Sequence, residues 1–129
     1  MVGIVGFTKF SHATCLDSPL MVMVKSISAR YQQACFYSYK LMEVACVSLR
    51  KCNFCSEFHS EDGTIGATVY GNFFRNVANP AEQLIQIYKR YGKKALSELN
   101  GSFCGVIFEN TDTPKVVLIT DRFSSRLKL

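Results

Sequence analysis

The sequence predicts an α+β domain with a largely antiparallel sheet. Three observations support this class: the β-branched and aromatic residues cluster in short segments, the strongest helix signal lies between such segments, and the last two segments are separated by a short turn. Strands that follow one another across short turns pair in the antiparallel direction. The chain has 129 residues, 48% of them hydrophobic, so we expect residues 1–129 to form a single domain with its own core.

Strands are predicted where β-branched and aromatic residues cluster between turn-forming residues. These segments are residues 1–7, 34–41, 43–49, 64–74, 102–109 and 115–121. We expect an interruption of the fourth segment at Gly71-Asn72, and a β-hairpin formed by the last two segments across residues 110–114. Residues 51–63 are polar, and the sequence predicts turns there rather than a strand.

Helices are predicted from their capping residues. The clearest signal is Asn-Pro-Ala-Glu at residues 79–82, because Asn caps a helix, Pro suits its first position, and Glu can complete a capping box. Gly92 is the expected end of this helix. The residues expected to form its apolar face are Leu84, Ile85, Tyr88 and Tyr91. Shorter helices are predicted over residues 18–27, beginning at Ser18-Pro19, and over residues 93–99.

Charge and hydropathy argue against several classes of partner. Lys and Arg outnumber Asp and Glu by 15 to 10, but the basic residues are scattered along the chain, so we expect no nucleic acid partner. The longest uninterrupted apolar run, residues 20–24, is far shorter than the roughly 20 residues that cross a bilayer, and the N-terminus lacks the features of a signal peptide. We therefore expect a cytoplasmic protein with no membrane partner and no cofactor.

The six cysteines leave three interpretations open. Cys52 and Cys55 form a Cys-x-x-Cys pair with Cys46 before it and His59 after it, and zinc accepts such a set of ligands. The pair is also typical of a disulfide or a redox site, and buried structural thiols are the third interpretation. Because no export signal is present, we expect most of the cysteines to be reduced and no metal to be bound.

Five motifs occur along the chain in a fixed order. They are Gly3-Ile4-Val5-Gly6-Phe7, Val69-Tyr70-Gly71-Asn72, Tyr88-Lys89-Arg90-Tyr91-Gly92, Leu99-Asn100-Gly101-Ser102-Phe103 and Asp121-Arg122-Phe123. Together they resemble the glutaminase domain of asparagine synthetases and related class II glutamine amidotransferases. The resemblance covers about half of the chain, mainly from residue 62 onward, whereas residues 7–49 are shorter than in the family and lack its Arg-Gly-Pro-Asp segment.

The resemblance implies an N-terminal-nucleophile-like fold, which is a four-layer αββα sandwich of two mostly antiparallel sheets between helices. In the family, an N-terminal cysteine thiolate attacks the side-chain amide of glutamine, while an Asn side chain and a Gly backbone N–H hold the oxyanion. The matching nucleophile position is Val2, whose side chain has no nucleophilic atom. We therefore expect no catalytic residue in this chain.

The other positions of the family's glutamine pocket are also altered. Gly71 and Asn72 match the oxyanion pair in reversed order, which in a strand turns the side-chain donor to the opposite face. Pro80 matches the Asp that binds the α-amino group of glutamine, and it has neither a charge nor a donor. Arg50 matches the Arg that binds the glutamine carboxylate. The resemblance thus implies a vestigial substrate pocket at these four residues.

The resemblance and these losses predict a glutaminase-like domain that no longer hydrolyses glutamine and acts as a binding or assembly module. The expected partners are a second copy or another protein, with a small-molecule ligand as a further option. One alternative is an active amidotransferase subunit that supplies ammonia to a synthetase partner. The other is a small zinc or redox protein that uses Cys52 and Cys55.

Self-association is expected because the sandwich would be truncated. In the family, further strands and a helix follow the Asp-Arg-Phe segment, whereas this sequence ends at Leu129. An uncovered sheet leaves backbone donors and acceptors, together with an apolar face, open to another chain. The strand over residues 115–121 is the expected edge, and a symmetric dimer is the commonest form of self-association.

Overall fold

The structure is a computed structural model that describes residues 3–8, 19–28, 33–38, 42–48, 55–73 and 77–123. The chain divides into two compact units, Met1–Cys52 and Asn53–Leu129. The described strands form antiparallel sheets accompanied by few helices, which confirms the predicted α+β class. The single domain and the four-layer sandwich stay predictions. Within the described ranges, no helix is long and apolar enough to cross a membrane.

The first unit contains a three-stranded sheet and one helix. Its elements are β1 (Gly3–Thr8), α1 (Pro19–Ser28), β2 (Gln33–Ser38) and β3 (Met42–Ser48). β3 lies in the middle of the sheet and pairs in the antiparallel direction with both β1 and β2. α1 begins at the predicted proline and lies close to β1 and β3. The strands and the helix predicted for this part of the sequence are confirmed.

The second unit is built on a four-stranded antiparallel sheet in the order β4-β5-β6-β7. Its strands are β4 (Cys55–His59), β5 (Ile65–Phe73), β6 (Gly101–Glu109) and β7 (Lys115–Thr120). The longest strands, β5 and β6, lie in the centre and pair along their whole length. β6 and β7 form the predicted hairpin, which fixes β7 as an edge strand of the described sheet.

Two predictions for this sheet are wrong. β4 lies in the segment where the sequence predicts turns. The prediction missed this strand because three of its five residues, Ser56, Glu57 and His59, are polar. An edge strand of an antiparallel sheet needs only one apolar face, and Phe58 supplies it by packing against the core. The interruption predicted in β5 does not occur either, since pairing continues through Gly71 opposite Phe103.

Two helices connect β5 to β6. α2 (Pro80–Tyr91) begins and ends at the predicted residues, and Gly92 separates it from α3 (Lys93–Leu96). α3 ends earlier than predicted, because residues 97–98 form a turn. The side chain of Tyr91 is 61% exposed, so its assignment to the apolar face of α2 is wrong. The buried residues of α2 are Ala81, Leu84 and Ile85.

One face of the sheet packs against α2 and forms the core of the second unit. The rings of Phe73 and Phe103 meet edge to face there, with centroids 4.8 Å apart. Each fully buried Leu, Ile or Phe side chain stabilises the fold by about 1.5–3 kcal/mol, so this face supplies most of the apolar contribution described. The core residues are Ile65, Ala67, Val69, Phe73, Ala81, Leu84, Ile85, Leu96, Phe103, Ile107 and Ile119.

The start of α2 is bonded to β4 through its cap. The Asn79 side-chain oxygen accepts hydrogen bonds from the N–H groups of Ala81 and Glu82, at 3.1 and 3.3 Å. The Asn79 amide nitrogen donates to the carbonyl oxygen of Glu57 at 3.1 Å, and the Ser56 hydroxyl oxygen accepts from the Ala81 N–H at 3.1 Å. The expected capping box does not form, because the Glu82 carboxylate accepts instead from a glutamine one turn later.

We predict that Asn79→Ala lowers the free energy of unfolding by about 1–3 kcal/mol, because it removes the cap and the bond to β4 together. Asn79→Asp is the matched control, since it keeps the capping oxygen and loses only the amide donor to Glu57. Urea denaturation of the two variants measures the difference. Equal midpoints for wild type and Asn79→Ala would show that the cap does not stabilise the fold.

Candidate functional site

The residues of the expected glutamine pocket are only partly described by the structure. Val2 and Arg50 lie outside the described residues. Gly71 and Asn72 lie near the end of β5, and Pro80 is the first residue of α2. The start of α2 is bonded to β4 at the position opposite Val69, so these three residues lie at the same end of the sheet. The structure thus brings part of the expected pocket together.

The pair at the expected oxyanion position consists of a buried glycine and an exposed asparagine. Gly71 is buried, with a φ of 110° that favours glycine, and a Cβ there would lie 2.1 Å from the carbonyl oxygen of Ser102. Asn72, the next residue, is exposed. Because a Cβ at position 71 would meet the Ser102 carbonyl, no side-chain donor fits there without a shift of the backbone.

Pro80 supplies no group that could bind an ammonium ion at the expected position. It has no N–H group and no charge, and the next two N–H groups of α2 already donate to the Asn79 side chain. The N-terminus of a helix carries a partial positive charge, which repels a cation unless a carboxylate offsets it. Pro80 itself therefore offers no partner for an ammonium group, whereas the Glu82 carboxylate lies in the first turn of α2.

Asp121 connects two of the motifs, a role that the sequence interpretation did not assign to it. Its side chain is 3% exposed, and its carboxylate oxygens accept hydrogen bonds from the N–H groups of Phe103 at 3.1 Å and Phe123 at 2.9 Å. The Asp121 N–H donates in turn to the carbonyl oxygen of Phe103 at 3.0 Å. The Asp-Arg-Phe motif therefore holds the end of β7 against the beginning of β6, which is a structural role.

The structure describes only part of the cysteine and histidine set that could form a metal or redox site. The side chain of Cys46 and the whole of Cys52 lie outside the described residues. Cys55 is disulfide-bonded, so its sulfur is not a thiolate ligand in this state. The expectation that most of the cysteines are reduced stays a prediction. His59 is exposed and stacks on Phe108, with ring centroids 6.4 Å apart. Within the described side chains, no three metal-binding residues lie together.

An open cleft of about 490 Å³ lies beside the C-terminal half of α2, and no sequence motif predicted it. Tyr88 and Glu109 line it, and the Tyr88 hydroxyl donates a 2.6 Å hydrogen bond to the Glu109 carboxylate. This bond, aided by burial, raises the pKa of Tyr88 to about 12. Lys115 also lies 3.8 Å from the Glu109 carboxylate. The Glu109 carboxylate is therefore engaged by both Tyr88 and Lys115.

A second cavity of about 570 Å³ lies between α2, α3 and the end of β5. Its walls combine apolar side chains, such as Phe73 and Leu99, with the polar Gln83 and Glu98. The Gln83 side-chain oxygen is buried and has no hydrogen-bond partner in the described structure. Neither cavity could be predicted from spacing, because each is formed by residues from elements that are distant in sequence.

The turn between β4 and β5 is held by one carboxylate. The Ser60 hydroxyl donates to Asp62 at 2.5 Å, and the Thr64 N–H and hydroxyl donate to the same oxygen at 3.0 and 2.8 Å. These bonds, led by that of Ser60 and aided weakly by the charge of Lys89, lower the pKa of Asp62 to about 2. The carboxylate therefore acts as the acceptor for the turn rather than as a catalytic acid.

No protein-family model matches this chain, and no curated protein matches its sequence. The resemblance to glutaminase domains therefore rests on the sequence motifs alone.

We predict that Asp62→Asn lowers stability above about pH 4 and that the difference from wild type disappears towards about pH 2. A carboxyl group with a lowered pKa in the folded state stabilises the fold above its unfolded pKa and loses this effect as the pH falls through the folded value. Denaturation across this pH range measures the difference. Asp112→Asn, in a turn where Asp112 makes no hydrogen bond within the described structure, is the control. A pH-independent difference would contradict the assignment.

We predict that Gly71→Ala destabilises the protein by more than about 3 kcal/mol, because it adds backbone strain and a clash with the Ser102 carbonyl. Gly63 is the matched position, since its φ of 67° brings similar strain and a Cβ there would meet nothing within 4 Å. Gly63→Ala should cost only about 1–2 kcal/mol. Thermal unfolding compares the two, and similar losses would show that β5 and β6 do not approach closely at Gly71.

Proposed function

We propose that this chain is a glutaminase-like domain of the asparagine-synthetase type that has lost glutamine hydrolysis and acts as a binding or assembly module. Its fold would be a four-layer αββα sandwich of the N-terminal-nucleophile kind. The motif order in the sequence supports this proposal, as does the antiparallel α+β architecture. The observation that carries the loss of activity is the burial of Gly71 beside the exposed Asn72.

Glutamine hydrolysis needs two donors that converge on one oxyanion. A missing oxyanion donor alone costs about 10² to 10³ in rate. In this chain the side-chain donor follows Gly71 rather than preceding it, and that residue, Asn72, is exposed. Restoring the family's order would place a side chain at position 71, where the Ser102 carbonyl leaves no room for a Cβ. A substitution at position 71 that restores the family's order is therefore disfavoured by the nearby backbone of Ser102.

Two further positions act against glutamine binding and against covalent catalysis, each independently of the oxyanion pair. Pro80 itself supplies no carboxylate at the position where the family binds the glutamine ammonium group. Val2 cannot form the thioester that divides amide hydrolysis into two easier steps. Because these losses affect different steps, no single one of them has to account for the inactivity.

An assembly role is supported by the exposed edge of the second unit. Leu118 on β7 is 78% exposed and Val116 is 39% exposed, although both belong to a strand of the sheet. Exposed apolar side chains on an edge strand favour pairing with another chain. The exposed side chains of β7 thus offer a surface for binding another chain. The described residues contain no assembled site for hydrolysis.

The redox alternative has one observation in its favour, which is the disulfide at Cys55. It requires that this disulfide be reduced reversibly at cellular potentials. Thiol labelling in glutathione buffers between about −180 and −300 mV decides it. A midpoint within this range would favour the redox function over the assembly function.

We predict that the purified protein releases no ammonia from glutamine above background, and that Val2→Cys does not restore hydrolysis. The rescue fails because Val2→Cys supplies the nucleophile but changes neither the Gly71-Asn72 pair nor Pro80. A coupled ammonia assay, with Val2→Ser as the matched control for a change at the N-terminus, measures both. Turnover by wild type that survives further purification would contradict the loss of activity. Strong hydrolysis by Val2→Cys would contradict the assignment of the oxyanion and ammonium positions.

A further inference from the structure

We infer that the cavity between α2, α3 and the end of β5 binds a neutral aromatic molecule that carries one N–H or O–H hydrogen-bond donor. This inference deepens the binding role in the proposed function, on which it rests. The residues that line the cavity do not include Gly71, Asn72 or Pro80, the described residues of the expected glutamine pocket. A ligand in this cavity would therefore bind outside the altered pocket.

One wall of the cavity is a single stripe of α2. Residues four apart on a helix lie one above the other on the same face, and Gln83, Ile87 and Tyr91 follow this spacing. The buried residues Leu84 and Ile85 belong to the neighbouring stripe, which packs on the sheet. The cavity has a volume of about 570 Å³, which lies within the range of roughly 300–1,000 Å³ that is typical of small-molecule sites.

Aromatic rings form two parts of the wall. Phe73, at the end of β5, is buried, and its edge-to-face contact with Phe103 holds its ring in place. Tyr91 is exposed, and the Arg90 guanidinium lies over its ring, 5.2 Å from the centroid. Aromatic rings that stack or meet edge to face attract each other beyond the effect of their buried area. These walls therefore favour an aromatic ligand over an aliphatic one.

Gln83 supplies the polar group of the site. Its side-chain oxygen is buried and has no hydrogen-bond partner. A buried acceptor without a donor is unfavourable, so the free protein carries a penalty at this residue. The last side-chain torsion of a glutamine is broad, and a turn of the amide towards the cavity breaks no bond of this oxygen. A ligand N–H or O–H that meets the oxygen removes the penalty.

The charges at the entrance favour a neutral ligand. The exposed lining residues Tyr91, Glu98 and Asn100 mark this entrance. Arg122 lies 3.9 Å from the Glu98 carboxylate, and Arg90 lies over Tyr91. An ammonium ligand would meet two guanidinium groups there, and a carboxylate ligand would meet the Glu98 carboxylate without finding a cationic residue in the described lining. A neutral ligand avoids both repulsions.

Indole and 1-methylindole are matched probes, because they share an aromatic body and only indole has an N–H donor. The chain contains no tryptophan, so the fluorescence of an indole ring reports the ligand alone. Titration of each probe with the full chain should show saturable binding, with indole bound about tenfold more tightly, because methylation leaves the Gln83 oxygen unpaired. Tryptamine and indole-3-acetate, which add an ammonium and a carboxylate group to the same ring, should bind more weakly than indole.

Gln83→Leu tests the acceptor. Leucine brings no oxygen, so this variant should bind 1-methylindole about as tightly as indole. The variant removes a buried unpaired group and should be at least as stable as wild type, which thermal unfolding checks. Gln86→Leu is the matched control, since Gln86 is exposed on the same helix and does not line the cavity. It should keep the preference for indole.

The position of the ligand is tested in two ways. Ala95→Phe places a ring in the cavity, so indole binding should be lost while the circular dichroism spectrum stays that of wild type. Methyl NMR of the wild-type chain needs no variant. Indole should shift the methyl signals of Ile87, Ala95 and Leu99, which line the cavity, and not that of Val116 on β7.

Three outcomes would overturn the inference about the site. They are the absence of saturable indole binding by wild type, equal affinities of wild type for indole and 1-methylindole, and methyl shifts confined to residues outside the cavity. A preference for indole that persists in Gln83→Leu would overturn the role of the Gln83 oxygen. Tighter binding of tryptamine or indole-3-acetate than of indole would overturn the neutral class of ligand.

These results are distinguishable from a failure of the proposed loss of activity. A protein that binds indole and releases ammonia from glutamine would contradict the loss of activity and leave this site standing. A protein that does neither would overturn the site and leave the loss of activity standing.

Discussion

The pairing of β5 with β6 is the interaction on which the second unit depends. These two strands are in register from Ile65 opposite Glu109 to Phe73 opposite Gly101, and most of their residues are buried. At one end the backbones approach so closely that a Cβ at Gly71 would lie 2.1 Å from the Ser102 carbonyl, and one at Gly101 would lie 2.4 Å from the Asn72 carbonyl. Both glycines are therefore required by the contact between the strands, and this requirement limits what the end of β5 can do chemically.

The close contact between β5 and β6 explains why residues of the sequence motifs have structural roles. Gly71 belongs to a family motif, yet its described role is to let two strands meet. The Asp121 carboxylate, from another motif, binds the N–H groups of Phe103 and Phe123 rather than a ligand. Asn79 caps α2 and reaches the Glu57 carbonyl. Each of these residues contacts the protein's own backbone, so its described role is structural.

The elements that depend on residues close together in the sequence were predicted correctly. The start of α2 followed from its cap and proline, and the hairpin of β6 and β7 followed from two apolar strands around a short turn. The failures have a different cause. β4 is polar because only one of its faces packs on the core, and Tyr91 is exposed because the contact with the sheet ends near the middle of α2. The role of Asp121 was not predicted, because its contact with Phe103 joins two strands and depends on the tertiary structure.

The two edges of the described sheet differ in what engages them. A sheet edge presents unpaired backbone groups that another chain can bind. On β4 the Glu57 carbonyl accepts from the Asn79 side chain, and the Ser56 hydroxyl accepts from the Ala81 N–H. On β7, at the other edge, Leu118 is 78% exposed. The cap of α2 therefore has two effects, because it satisfies the first N–H groups of the helix and also occupies a backbone acceptor of β4.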